Sequence, residues 1–327
     1  METRNTQLPP APPGVITALI SGFNAVANRA VVLIIPLLFD LFLWLGPRFS
    51  IYNLVSPIIP ELERIPTQMQ GFPENTSALI EFFEKANLFS ALSTFPLGVF
   101  SLMSGSLATE SPFGERLATS AQGLPALLLW VIALTVTGWL LGSLYFHSVA
   151  RLVAPEGQKR PSLAHGMFQG FLLSGFWTLL WIVASLPVLV FVAVLMLISP
   201  SVASVVLMLI SLLVLWLSVP IFFSAHGIFS NTDQLFHSIV KGFRLMRYAL
   251  PSLGWFVIIA IVLSQGLNFL WRIPPADSWF TLLGIFGHAF ITTALLAASF
   301  IYYRNLNIWI DEALQWIKAQ TADSARA

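Results

Sequence analysis

Six long apolar stretches run through this sequence, and they constrain the fold more than any other feature. A membrane-spanning helix needs about 20 mostly apolar residues, because its backbone must satisfy its own hydrogen bonds in hydrocarbon. Six stretches meet or approach this length, namely residues 30–46, 124–147, 175–198, 202–225, 252–271 and 280–303. We therefore predict an all-α, polytopic helical membrane protein with six transmembrane helices.

The composition indicates that lipid rather than water surrounds most of the chain. Hydrophobic residues make up 57% of the 327 residues and charged residues only 9%, and the mean hydropathy is +0.81. A soluble domain carries roughly 25% charged residues. The lipid bilayer is therefore the first partner that we expect. The net charge of +1 gives no reason to expect nucleic acid, and the sequence names no protein partner.

No pattern of catalytic or metal-binding residues accompanies the apolar stretches. The chain has no cysteine, which excludes disulfides, thiolate metal sites and cysteine nucleophiles. We find no phosphate-binding loop, zinc-protease helix, nucleophile elbow or dinucleotide fingerprint. No pair of histidines has a metal-ligand spacing with a third partner. We therefore predict no catalytic residues, no metal site and no cofactor.

Lysine and arginine are distributed unequally between the two sides of the predicted membrane domain. Eleven of the 16 lie on one side and five on the other, and four of these five lie in one long loop. In membrane proteins the cytoplasmic loops carry the excess of basic residues. We therefore expect the N-terminus and the C-terminus on the cytoplasmic side.

The predicted membrane domain covers residues 15–303 and is flanked by two tails. Residues 1–14 are polar and rich in proline, without the features of a signal peptide, and we expect a disordered cytoplasmic tail there. Residues 304–327 are expected to form a second cytoplasmic tail.

One extracytoplasmic loop, residues 47–123, is too long for a simple connector. Residues 77–92 within it show the pattern of an amphipathic helix. Residues 95–103 are apolar but too few to span a membrane. The loop is either a small cap that packs on the outer mouth of the bundle, or a lid or re-entrant segment over a pathway.

A five-residue motif recurs three times, with two apolar residues and a polar residue before a Gly-Phe pair. Its glycines are Gly22, Gly170 and Gly242, and each motif precedes an odd-numbered span. The first spacing exceeds the second by 76 residues, which is close to the length of the long loop. We therefore predict three helical hairpins, each preceded by a cytoplasmic amphipathic helix. The alternative is a set of elbow helices without duplication.

The clearest of these amphipathic helices covers residues 233–248. Its apolar residues recur at helical spacing, and Lys241, Arg244 and Arg247 form a basic stripe opposite them. Such helices usually lie in the membrane interface, where basic side chains meet anionic headgroups. Arg29, just before the first span, can extend to the same headgroups. We predict these four side chains as lipid-headgroup contacts.

Residues 238–247 also carry a resemblance to a known family. They read Ser-Ile-Val-Lys-Gly-Phe-Arg-Leu-Met-Arg and lead into a span. This is similar to a segment of uncharacterised bacterial six-span proteins related to the glycerophosphodiester phosphodiesterase membrane domain. The resemblance covers most of the chain outside the long loop and implies a plasma (inner) membrane location. It implies no catalytic residues here, because the phosphodiesterase catalytic domain is a separate soluble module.

Four polar side chains lie at similar depth within the predicted spans, and ionisable groups there suggest function. They are Asp40, His288, Gln265 and Asn268. We expect Asp40 and His288 to meet between the first and last spans, with Gln265 nearby, where an acid–histidine pair could relay protons or bind a cation. The alternative is a structural hydrogen bond between helices. Gly284 and Gly287 would allow close helix approach beside His288.

Three classes of function are compatible with these features. The first is a non-catalytic protein that organises the membrane or contacts lipids or partners, which the basic elbow helices favour. The second is a small secondary transporter or permease with Asp40 and His288 in a polar pathway. The third is a membrane enzyme that acts on lipid headgroups. The sequence favours the first class and predicts no enzymatic activity.

Overall fold

Long α-helices form most of the protein in the computed structural model, which describes residues 11–60, 76–157 and 160–324. The helices are α1 (Val15–Asn28), α2 (Ile34–Leu45), α3 (Tyr52–Val55), α4 (Thr76–Lys85), α5 (Leu124–Leu152), α6 (Leu163–Ile198), α7 (Pro200–Asn231), α8 (Leu235–Trp271) and α9 (Thr281–Ser324). The smaller elements are the 3-10 helices Ala30–Leu33 and Leu88–Leu92 and the strands β1 (Arg48–Ser50), β2 (Glu110–Ser111), β3 (Gly114–Glu115) and β4 (Ala118–Ser120). The predicted all-α, polytopic class is confirmed.

Five of these helices, α5 to α9, are long and apolar enough to cross a membrane. The predicted first span corresponds to a 3-10 turn followed by α2, which together cover Ala30–Leu45. This pair reaches spanning length only together with α1, from which it is bent by 91°. The described chain therefore has five spanning helices, or six if the bent pair counts as one broken span.

The third and fourth predicted spans form a tight hairpin, as their three-residue connection in the sequence indicated. Ser199 alone separates α6 from α7, and its hydroxyl accepts a hydrogen bond from the Val202 amide. The halves of both helices next to this turn are apolar and mostly exposed, with Leu197 85% exposed. Since few protein groups cover them, this part of the hairpin is suited to contact with acyl chains.

The predicted elbow helices differ among the three units. The first is a separate helix, α1, bent by 91° from the span that follows it. The second is continuous with its span in α6. The third joins its span inside α8 through a kink at Ala249, whose backbone is non-helical and which lies just before Pro251. Proline clashes with the preceding turn of a helix, and this explains why the chain bends there.

The three glycines of the recurring motif make equivalent contacts. Each is buried, and a Cβ atom built on any of them would lie 2.5 Å from an atom of a neighbouring helix. The contacts form a cycle: Gly22 lies against Ala298 of α9, Gly170 against Ser143 of α5, and Gly242 against Pro220 of α7. Each unit thus packs on the second helix of the unit before it, and the first unit packs on the last.

A second small residue precedes each of these glycines by four positions. Ala18, Gly166 and Ser238 are all buried, on the same helix face as the glycine. Pairs of small residues at this spacing allow helix backbones to approach closely within membranes. The structure therefore supports a threefold arrangement by contacts that the five-residue motif alone did not reveal.

The long loop forms a small cap at the end of the bundle where α5 and α9 begin. Strand β1 pairs in parallel with β4, and β2 pairs with β3 in a short antiparallel ladder. The predicted helix over residues 77–92 is interrupted, because α4 ends at Lys85 and a 3-10 turn follows. Asn87 lies at the break, where its side-chain oxygen accepts hydrogen bonds from the amides of Phe49 and Phe89.

The tails are described only in part. Residues 1–10 of the predicted N-terminal tail lie outside the described residues. At the other end α9 continues through Ser324 as one helix, so most of the predicted tail 304–327 is an extension of the last span.

Candidate functional site

Residues 93–105, which we call the central segment, leave the loop and enter the helix bundle. The entry point lies against α5 at Gly138. A Cβ atom there would lie 2.5 Å from the Leu92 carbonyl oxygen and 2.8 Å from the Thr94 methyl group. Glycine at this position therefore lets the backbone of the segment lie directly on the helix.

The segment reaches its deepest described contacts one turn further along α5. A Cβ atom at Gly142 would lie 2.6 Å from the Gly98 amide nitrogen, and one at Gly170 would lie 2.7 Å from the Leu97 side chain. At 1.5 Å per residue, Gly142 is about 27 Å from the start of α5 at Leu124. This path is the one expected of a re-entrant segment, because non-helical backbone at membrane depth must be buried in protein.

Asp40 holds the returning part of the central segment. Its carboxylate is fully buried and accepts hydrogen bonds from the Ser101 hydroxyl at 2.5 Å, the Leu102 amide at 3.1 Å and the Met103 amide at 3.0 Å. Arg272, at the end of α8, donates to the Leu102 carbonyl at 3.2 Å. One acidic and one basic side chain thus bind the same short stretch of the central segment.

Asp40 and His288, which were expected to meet, are joined by no hydrogen bond or ion pair among the described residues. Asp40 uses its oxygens on the central segment, and His288 is buried on α9 with no partner for its Nε2 among those residues. The hydrogen bonds of Asp40 to the central segment give this side chain a structural role.

The close helix approach expected beside His288 is present. A Cβ atom at Gly284 would lie 2.3 Å from the Trp271 carbonyl oxygen, and one at Gly287 would lie 2.6 Å from the Trp271 ring. Asn268, one turn earlier on α8, has a buried side-chain oxygen without a partner among the described residues. Of these two neighbouring polar residues, Gln265 borders the cavity described next and Asn268 does not.

A partly open cavity of about 260 Å³, which we call the central cavity, lies between α7, α8, α9 and the central segment. Five phenylalanines line it, and two of them, Phe95 and Phe100, belong to the central segment. The remaining apolar lining is aliphatic. The polar lining consists of hydroxyls and one amide, from Ser218, Ser264, Gln265, Thr292 and Ser299.

The polar lining differs in how much of its hydrogen-bonding capacity is already used. Ser218 and Thr292 donate to carbonyls of their own helices. Gln265 and Ser264 make no hydrogen bond to another residue that the structure describes. Gln265 lies about 9 Å from the end of α8 and Thr292 about 17 Å from the start of α9, at 1.5 Å per residue. Both distances are shorter than the thickness of a hydrocarbon core, which is about 30 Å.

His226 is a buried residue next to this cavity that the sequence did not single out. Its Nε2 lies 2.7 Å from the Ser299 hydroxyl, and its Nδ1 lies 3.1 Å from the Phe222 carbonyl. The imidazole is enclosed by aromatic rings, with the Phe300 ring centroid 4.3 Å away. Helix α7 continues beyond the predicted span 202–225 to Asn231, and His226 is fully buried in this extension.

The predicted headgroup contacts are divided by the structure into two groups. Lys241 donates to both Asp233 carboxylate oxygens, at 2.9 and 2.8 Å, and Arg244 pairs with Asp311 at 2.5 Å. Arg247 is exposed and lies over the Tyr248 ring, 5.4 Å from its centroid, and Arg29 is exposed as well. Two of the four predicted side chains are therefore already neutralised by neighbouring carboxylates.

The comparisons with known proteins add no family to this description. No protein-family model, curated protein or solved structure matches the chain. The resemblance to the phosphodiesterase membrane domain therefore stays a prediction.

Proposed function

We propose that this protein is a non-catalytic integral membrane protein that binds a membrane lipid, with part of an acyl chain in the central cavity. The observation that carries the proposal is the combination of depth and lining in that cavity. Ligand sites are typically apolar concavities with a few precisely placed polar groups. The five phenylalanines and the free capacity of Gln265 match that description.

The lining also indicates the polarity of the ligand. None of the side chains that line the cavity is ionisable. An ionic group would need a charged or extensively hydrogen-bonded partner at this depth. A hydroxyl or ester group needs only the donor and acceptor that the Gln265 amide supplies. The supported ligand is thus an apolar chain with an uncharged polar group.

The transporter hypothesis receives less support from the same geometry. That hypothesis requires Asp40 to line a polar pathway near mid-bilayer. Asp40 is fully buried and does not border the central cavity, and the central segment occupies the middle of the bundle. Lipid contact is therefore the function that the geometry supports best.

A photoactivatable phospholipid with a diazirine in its acyl chain tests this proposal directly. In membranes that contain it, we expect crosslinks concentrated on the α7 and α8 residues of the cavity wall, around Phe222 and Ala260. Ala260→Phe should fill the cavity and reduce this labelling, and Gln265→Leu should reduce retention of the lipid in native mass spectrometry.

The control is Val262→Phe, which adds a phenyl ring on the same helix at a position that is 63% exposed. Equal labelling of all exposed apolar surfaces in the wild-type protein would overturn the proposal. An unchanged yield of lipid crosslinks in the Ala260→Phe variant would also overturn it.

A further inference from the structure

Three arginines converge at the end of the bundle opposite the cap. Arg151 lies in the last turn of α5, Arg160 precedes α6, and Arg304 lies on α9. All three line one narrow cleft, which we call the arginine cleft. Arg151 and Arg160 lie at the two ends of the short connection between α5 and α6, whereas Arg304 is far away in the sequence. The packing of α5, α7 and α9 brings Arg304 to them, since Phe229 of α7 lines the same cleft.

No carboxylate neutralises this cluster within the part of the chain that the structure describes. The side chains that line the cleft include no aspartate or glutamate. None of the three guanidinium groups forms an ion pair with a described residue. This contrasts with Lys241 and Arg244 at the same end of the bundle, which both bind carboxylates. The positive charge at this cleft is therefore available to an anionic ligand.

Arg304 is fixed in place by its own hydrogen bond. Its Nη1 donates to the Val153 carbonyl at 3.0 Å, just beyond the end of α5, and the side chain is only partly exposed. One bond uses one of five guanidinium donors, so most of the donors of Arg304 stay available. Arg151 and Arg160 are exposed and add further donors around the same opening.

We propose that the arginine cleft binds the phosphate of an anionic phospholipid headgroup. Guanidinium groups match phosphate geometry and can bind it through two parallel hydrogen bonds, so that a cluster of arginines recognises phosphate better than a single charge does. The cleft holds about 20 Å³ of free space, which admits a phosphate oxygen but no large molecule. The rest of the headgroup must therefore lie outside it.

The surroundings favour a lipid over free phosphate as the source. The apolar side chains of Ala150, Phe229 and Phe300 border the arginines. The cleft also lies at the ends of membrane-spanning helices, where basic pockets meet headgroups. The acyl chains of a bound lipid would extend from such a position along the helices. This site is separate from the central cavity, with which it shares no lining residue.

Native mass spectrometry of the detergent-purified protein tests the site, because the surface potential of a membrane is absent there. We expect phosphatidylglycerol to bind more tightly than phosphatidylcholine. The double variant Arg151→Gln, Arg160→Gln should weaken phosphatidylglycerol binding about tenfold. Arg304 is left intact because its bond to Val153 supports the fold.

The matched control is Lys85→Gln with Lys318→Gln, which removes the same charge from two positions outside the cleft that were not predicted as headgroup contacts. This control should bind phosphatidylglycerol nearly as well as wild type. The variant Arg151→Lys, Arg160→Lys keeps the charge but loses the forked geometry, and it should show intermediate binding if it folds.

Two results would overturn the assignment. One is an equal loss of binding in the Arg151, Arg160 variant and in the control, which would indicate only general charge attraction. The other is binding of inorganic phosphate alone that is as tight as phosphatidylglycerol binding and is lost in the same variant, which would show that the cleft is a site for a soluble anion.

Discussion

At the residue scale, Asp40 shows how a buried charge can serve structure instead of chemistry. An ionisable side chain in a span suggests function, because its burial is costly. Here three donors from the central segment satisfy the carboxylate, and Arg272 donates to the Leu102 carbonyl of the same segment. The partner of Asp40 comes from the loop, some 60 residues away, and helix periodicity carries no information about it.

Replacing Asp40 should therefore weaken the fold rather than a reaction. Asp40→Asn keeps the shape but turns one acceptor into a donor that faces backbone amides, so we expect a loss of about 1–3 kcal/mol in the free energy of unfolding. The change can be measured by thermal and denaturant unfolding in detergent. Asp277→Asn, at an exposed position near the end of α8, serves as control. Equal stability of the two variants would contradict the structural role.

At the element scale, close packing of small residues organises the helices. The three glycines of the recurring motif each contact the second helix of the preceding unit, with a buried small residue one turn earlier. In membranes such contacts replace the hydrophobic driving force that is missing between helices in lipid. These six positions are therefore expected to tolerate less change than the exposed apolar positions around them.

Two glycines of α8 allow a matched test of this packing. Gly242→Leu places a side chain where a Cβ atom would already lie 2.5 Å from the Pro220 carbonyl oxygen, and we expect a loss of about 2 kcal/mol or more. Gly254→Leu has no atom within 4 Å of its Cβ position, and it should leave stability unchanged or raise it, since leucine favours helix. Similar unfolding midpoints for the two variants would refute the packing argument.

Sequence reasoning was most successful for features that depend on local pattern. The length of the apolar stretches predicted the spanning helices α5 to α9. The short connection around Ser199 predicted the tight hairpin of α6 and α7. Sequence reasoning also singled out Gln265 as a polar residue within a span, although it did not show that this residue lines a cavity. Contacts between distant segments were missed, such as the convergence of Arg151 and Arg304, because nothing in one stretch of sequence encodes the position of another.

At the scale of the whole molecule, the central segment completes the fold. Three units close into a cycle around it, and its side chains Leu97 and Leu102 are almost completely buried. Phe95 and Phe100 from the same segment line the central cavity. The loop is therefore part of the interior of the bundle as well as a cap, and the proposed lipid site depends on its position.

The position of the central segment can be measured by crosslinking, because the chain has no native cysteine. A variant with Phe100→Cys and Tyr145→Cys, whose native rings lie 6.3 Å apart between centroids, should form an intramolecular crosslink when treated in membranes with a short bifunctional thiol reagent, and mass spectrometry can detect it. The pair Phe113→Cys and Tyr145→Cys, with the first position 75% exposed in the cap, should not. Absence of the Phe100 crosslink, together with labelling of Phe100→Cys by a membrane-impermeant maleimide, would contradict the account.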